Sequence, residues 1–263
     1  MSGYRQVAGL GSSFAAGPGI DPVVDAAARQ SGRNYAHLLA GDLGARITDL
    51  SVSGATTATI LERRQRVGLR SFPPQLGLLP PDADLITVTA GGNDLHYVGS
   101  LLRCAVTGSL RGNRWIGPVA RRFPAPRVPR PSATEVRQAA DGLSRVVEAA
   151  RHRAPGARVV LVDYLTLLGE DTEPGRDVPF DRATVEQIRA IGAEVARAFE
   201  TAAASTGAGL VRASTLSVSH GVGAAEPWVN SLGPRPSALA SSFHPNAAGM
   251  RAVADAVLAT VAG

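Results

Sequence analysis

Short β-branched apolar runs alternate with longer stretches of helical spacing along this chain. Val7 to Leu10, Ile47 to Val52, Leu85 to Thr89, Arg158 to Tyr164 and Gly209 to Arg212 read as strands, and RVVLVDY is the strongest of them. Between and after them, Tyr35 to Leu43, Ala58 to Arg66, Glu135 to His152, Thr184 to Ser205 and about Ala247 to Val261 carry apolar residues at helical spacing among good helix formers. Asn246 stands where the last helix needs an N-cap. Continuous apolar strands separated by helices predict an α/β fold with a mainly five-stranded parallel sheet between two helical layers.

Gly117 to Ser132 breaks this rhythm. Its five prolines withhold backbone donors and disfavour helix at the preceding residues. The interval lies between a strand and its following helix, so the 263 residues read as one domain, 1–263, with an insertion at about 103–132. Composition agrees with a folded chain: 44% apolar and 19% charged residues exclude disorder. Cys104 is the only cysteine, which excludes an internal disulfide. The opening MSGYRQVAGLGSS has no basic segment followed by a long apolar run, and no stretch is long and apolar enough to span a membrane. A soluble, cytoplasmic protein is therefore expected.

Charge sharpens the picture of the insertion. The formal net charge is +5, yet no acid occurs between Asp94 and Glu135, where Arg103, Arg111, Arg114, Arg121, Arg122, Arg127 and Arg130 supply seven positive charges. The simpler reading of this run is a solvated loop. The sharper one is a patch that makes transient contact with an anionic membrane surface. Nucleic acid is not expected as a partner.

Ligands of open parallel sheets bind beyond the carboxyl ends of the strands. The first strand runs into Gly11-Ser12-Ser13, the second into Ser53-Gly54-Ala55, and the third into Gly91-Gly92-Asn93-Asp94. Together they present a hydroxyl nucleophile, a glycine amide and a carboxamide, the latter two being donors for a developing oxyanion. His244, in the loop before the last helix, supplies a base. Each has a plainer reading as well: serine and His-Pro at helix starts, Gly54 in a turn, and Asn93 and Asp94 in an Asx turn. No histidine-carboxylate cluster has metal-ligand spacing and no phosphate-binding loop is present, so neither metal nor cofactor is expected.

Four blocks in order make the chemistry specific. GSSFAAG at Gly11–Gly17, LSVSGATT around Gly54, Gly91-Gly92-Asn93-Asp94, and Ser241-Ser242-Phe243-His244-Pro245 resemble the blocks of the SGNH (GDSL-like) serine hydrolases. SHGVGAAEPWVN, from Ser219 to Asn230, is similar to the actinobacterial lipase and esterase branch of that family. The resemblance spans nearly the whole chain and implies a flavodoxin-like α/β/α fold. It implies Ser13 as nucleophile, His244 as general base, and an oxyanion hole made by the amides of Ser13 and Gly54 with the carboxamide of Asn93. The implied substrate is a small-molecule or lipid carboxylic ester, cleaved through an acyl-enzyme.

Two positions depart from the family pattern. Ser12 replaces the aspartate before the nucleophile, and Ser241 replaces the carboxylate three residues before the histidine. No acid occurs between Glu226 and Asp255. An imidazole still needs an acceptor on Nδ1–H, and the backbone carbonyl of Ser241 is expected to provide it, giving a Ser–His dyad. His37 and His152 lie in helical patterns away from the blocks, while His96 and His220 lie close enough to be candidates for substrate contact. Two rivals use the same features: an acyltransferase with identical residues, and a non-catalytic module that binds anions or surfaces.

Overall fold

The computed structural model describes residues 3–233 and 238–262. Five strands, β1 (Gln6–Gly11), β4 (Arg46–Asp49), β7 (Leu85–Thr89), β8 (Arg158–Val162) and β9 (Gly209–Val211), form one sheet. Its order is β4-β1-β7-β8-β9, and every neighbouring pair is parallel. The central strands β1 and β7 are buried along their full length, as their unbroken apolar runs require, whereas the edge strands β4 and β9 are only partly buried. The chain leaves β1 for β4 on one side and then returns to β7 on the other. The crevice between β1 and β7 is therefore the topological switch point of the sheet.

Helices cover both faces. α2 (Tyr35–Leu43) packs with α9 (Ala247–Ala262) on one face, and α6 (Ala133–Arg153) with α7 (Arg182–Thr206) on the other, while a single turn, α8 (Ala213–Leu216), follows β9. Their ends are set by local chemistry. The Asn34 side chain accepts from the Ala36 and His37 amides, Ser132 and Glu135 form a reciprocal capping box, and the Asp181 carboxylate accepts from Thr184 N–H. Asn246 accepts from Gly249 N–H at 2.9 Å, which is the capping role expected of it.

Three expected elements come out differently. The second strand is regular only to Asp49, whose carboxylate accepts from Ser51 N–H, Ser51 Oγ and Asn34 Nδ2, although Leu50 and Val52 N–H still donate to Gly9 O and Gly11 O of β1. The helix expected over Ala58–Arg66 is only α3 (Thr57–Leu61), because the polar run Glu62–Arg66 offers nothing to bury. It gives way to a hairpin, β5 (Gln65–Val67) and β6 (Arg70–Phe72), turning at Gly68 with φ 57°. A second hairpin, β2 (Val23–Asp25) and β3 (Gln30–Ser31), stands beside it, tied by Arg70 to Asp25 at 3.3 Å.

Residues 97–112, part of which falls in the expected insertion, form a regular helix that the sequence pattern did not predict, α4 (Tyr97–Gly112). Its glycines and serines weaken intrinsic propensity, but Tyr97, Leu101, Cys104 and Ala105 are buried in a stripe facing α7. Gly192 of α7 makes the contact possible, because a Cβ there would lie 2.6 Å from the Tyr97 hydroxyl. A single turn, α5 (Gly117–Ala120), follows, and from Arg121 to Pro131 the chain is irregular, as its prolines dictate.

Candidate active site

Ser13 opens α1 (Ser13–Ala16), a single helical turn at the carboxyl end of β1. The bend before it depends on Gly11, whose φ of 150° and close approach to the Thr89 carbonyl leave no room for a Cβ. Gln75 clamps the same residue from both sides: Gly11 N–H donates to Oε1 at 2.8 Å and Nε2 donates to the Gly11 carbonyl at 2.9 Å. Ser12 N–H donates to Thr89 O at 2.9 Å, binding the bend to β7.

His244 arrives from the turn preceding α9. Residues 229–230 hold that turn through a Val229–Pro245 antiparallel bridge, with Asn230 N–H donating to His244 O and Phe243 N–H to Asn230 O, both at 2.9 Å. The segment from Ser219 to Asn230 thus serves as the mount of the histidine turn. Nε2 of His244 lies 2.8 Å from Ser13 Oγ, and Nδ1 lies 2.8 Å from the Ser242 carbonyl. A carbonyl can only accept, so Nδ1 carries the proton and the Nε2 lone pair faces the serine hydroxyl. Both side chains are buried, each 8% exposed. Burial pushes the imidazole pKa down to about 4; the Ser242 acceptor opposes that shift and the charge of Arg29 adds to it. His244 is therefore neutral at pH 7.

The acceptor on Nδ1 is Ser242, which corrects the expectation of Ser241. The Ser241 carbonyl is occupied within the turn, accepting from His244 N–H and from Asn230 Nδ2, each at 3.2 Å. Its hydroxyl donates to Ala238 O at 3.0 Å. Phe243, at φ 58°, stands between Ser242 and the histidine, so the carbonyl two residues back meets the ring.

The expected donors converge on the same cleft, which encloses about 510 Å³ and is lined by Ser13, Gly54, Asn93 and His244. Neither Ser13 N–H nor Gly54 N–H has an acceptor among the described residues, so both are free to bind an anion. Gly54 holds φ 86°, which turns its amide at the end of the segment after β4. Asn93 spends one amide hydrogen on Ala55 O at 2.8 Å, which fixes the carboxamide and leaves its second N–H unspent. Asp94 is structural: it accepts from Thr57 N–H and, at 2.6 Å, from Thr57 Oγ, joining this loop to α3. His96 and His220 do not line the cleft; His220 is stacked on Trp228 at 3.9 Å. Among the described residues no cluster of His, Cys, Asp or Glu suits a metal.

Sequence reasoning missed the residues that brace the loops. The Tyr164 hydroxyl accepts from Gly92 N–H at 3.1 Å and bonds Ser12 Oγ at 2.9 Å, so one phenol joins two strand ends. Ser12 thereby has a defined partner in place of the family's aspartate. Tyr164 closes the RVVLVDY run, and its position at a strand end was the available signal. Gln75 and Arg29 carried none, because both reach the site from segments without a motif.

A family model described as the GDSL-like lipase/acylhydrolase family matches residues 10–252. Lipase 2 of Streptomyces coelicolor is 32% identical over 253 residues, covering 94% of this chain and 82% of its own length. The chain belongs to the GDSL-like lipase/acylhydrolase family, in its actinobacterial lipase branch, and is a carboxylic ester hydrolase. Solved structures share the fold across nearly their whole lengths. The extracellular lipase of Streptomyces rimosus superimposes with a TM-score of 0.70 at 22% identity, covering 97% of this chain and 99% of its own. Phospholipase A1 of Streptomyces albidoflavus NA297 gives 0.73 at 18% identity, with 98% and 99% covered.

Proposed function

We propose that this hydrolase works through an acyl-enzyme on Ser13, with His244 as general base and no carboxylate behind it. The observation that carries the reading is the 2.8 Å contact between Ser13 Oγ and the unprotonated Nε2 of a neutral, buried imidazole. Ser13 Oγ attacks the ester carbonyl as its proton passes to Nε2, and the oxyanion is held by the amides of Ser13 and Gly54 and the carboxamide of Asn93. Collapse of the tetrahedral species expels the alcohol, protonated by His244. Water then attacks the acyl-enzyme with His244 as base, and the acid departs. The Ser242 carbonyl orients the ring throughout, but as a neutral dipole it stabilises the imidazolium less than a carboxylate would.

Substrates of this site are esters with an aliphatic acyl chain. Val98 and Leu102 of α4 form an apolar wall of the cleft beside Ser13, and the names of the Streptomyces relatives point the same way. The test is turnover of nitrophenyl esters of increasing chain length by wild type, Ser13→Ala, His244→Ala and the double variant. Each single variant should be inactive yet folded, and the double no worse than either, because the pair acts as a unit. Wild-type turnover in either single variant would falsify the assignment. Product analysis with an added alcohol distinguishes hydrolysis from acyl transfer.

A further inference from the structure

We propose that the arm formed by the end of α4, α5 and the proline-rich segment after it is a docking surface for anionic lipid bilayers. Val128 packs against the core, but five large apolar side chains of the arm are exposed: Trp115 is 76% exposed, Phe123 67%, Val119 56%, Ile116 47% and Leu110 45%. Five large apolar residues exposed within fourteen positions form a patch of the kind that marks an interaction site. The arm holds its shape by its own polar contacts. Asn113 Oδ1 accepts from Trp115 N–H and Ile116 N–H, the Arg121 guanidinium donates to Arg111 O at 2.7 Å, and that of Arg111 donates to Phe123 O at 2.8 Å. Two of the seven arginines are therefore braces, and Arg114 lies over the Trp115 ring at 4.5 Å. Arg103, Arg122, Arg127 and Arg130 make no ion pair among the described residues, although Arg130 lines a cavity with Glu186 and Glu194 of α7, and no acid occurs in the chain between Asp94 and Glu135.

Charge selects the occupant. A second copy of this chain would press arginines against arginines, with no carboxylate of the segment to answer them. An anionic bilayer meets both features at once, phosphates pairing with guanidinium groups while Trp115 and Phe123 enter the headgroup and acyl boundary. The arm lies on the surface and does not cross it, since no described helix is long and apolar enough to span. It is also joined to the cleft. Val98 and Leu102 line the cleft, and Val106 and Leu110 extend the same i, i+4 row along α4, a helix of 16 residues or about 24 Å. Docking would thus hold lipid esters one helix length from Ser13.

The experiment uses the full chain with vesicles of pure phosphatidylcholine and of phosphatidylcholine with phosphatidylglycerol, and it involves no turnover. Its outcome is therefore separate from the assignment of Ser13, and Ser13→Ala should bind vesicles as wild type does. Wild type should float with the anionic vesicles, and brominated acyl chains should quench its fluorescence. The quenching should vanish in Trp115→Ala, which retains Trp228 stacked on His220. Arg122→Gln/Arg127→Gln/Arg130→Gln should weaken binding about 100-fold at low salt, and Trp115→Ala/Phe123→Ala should weaken it at every salt concentration. Far-ultraviolet dichroism and thermal unfolding should match wild type, as these side chains leave the core intact. Equal binding to neutral and anionic vesicles, or unchanged binding by both variants, overturns the proposal. So does a wild-type dimer in sedimentation that Trp115→Ala/Phe123→Ala dissociates, since the arm would then be a self-association face.

Discussion

The buried imidazole makes the pH profile a direct test of the site. A free histidine titrates near 6.5, whereas His244 is pushed down to about 4, chiefly by burial. At pH 5 a base with that pKa is about nine-tenths neutral, while one at 6.5 would be about 3% neutral, a difference of about 30-fold in competent enzyme. The assay is kcat/KM for a soluble short-chain ester from pH 4 to 8, followed by pH-stat so that the leaving group's colour does not matter. The acid limb should fall near pH 4, with a plateau from about pH 5.5 upward. Arg29→Gln should move the limb to higher pH by a fraction of a unit, because a positive charge near the ring disfavours imidazolium. Stability carries the same sign. The folded pKa lies below the unfolded one, so the contribution is complete above pH 6.5 and is lost as pH falls from there through 4. The shift amounts to about 3 kcal/mol, which should appear as a change in the stability difference between wild type and His244→Asn across that window. An acid limb centred at 6.5 would refute the buried, carbonyl-oriented histidine.

Asn93→Ala should lower kcat by roughly 10²–10³ with a smaller effect on KM, because its free N–H acts on the oxyanion; a change confined to KM assigns the side chain to substrate binding instead. Ser241→Ala should keep most activity, since the acceptor on His244 is the Ser242 carbonyl and the Ser241 hydroxyl bonds Ala238; a loss of about a hundredfold or more in steady-state turnover would contradict that geometry. Tyr164→Phe should cost about 1–3 kcal/mol in chemical denaturation by stranding Gly92 N–H and Ser12 Oγ, and kcat should fall with it because both loops carry site groups. Unchanged stability would mean that the phenol does not brace them.

The hydrophobic pattern by itself determined the layered α/β class and placed the five sheet strands, most clearly the central ones, because burial on both faces demands unbroken apolar runs there. It also determined four of the helices closely, and four ordered blocks, three at strand ends and one in the loop before the last helix, singled out Ser13, Gly54, Asn93 and His244. Tertiary structure decided what depends on contacts between distant segments. α4 forms because α7 buries its apolar stripe, a gain that local propensity does not record. The Ser242 carbonyl orients His244 because the turn consumes that of Ser241, a choice made by backbone torsions at Phe243. Gln75 and Tyr164 brace loops 64 and 152 residues away in the chain, and no periodicity encodes such a pairing. The arginine run was legible as charge alone; folding of α4 and α5 turned Trp115, Ile116, Val119 and Phe123 to the surface beside it, because the arm bonds to itself and leaves its apolar side without a core to join.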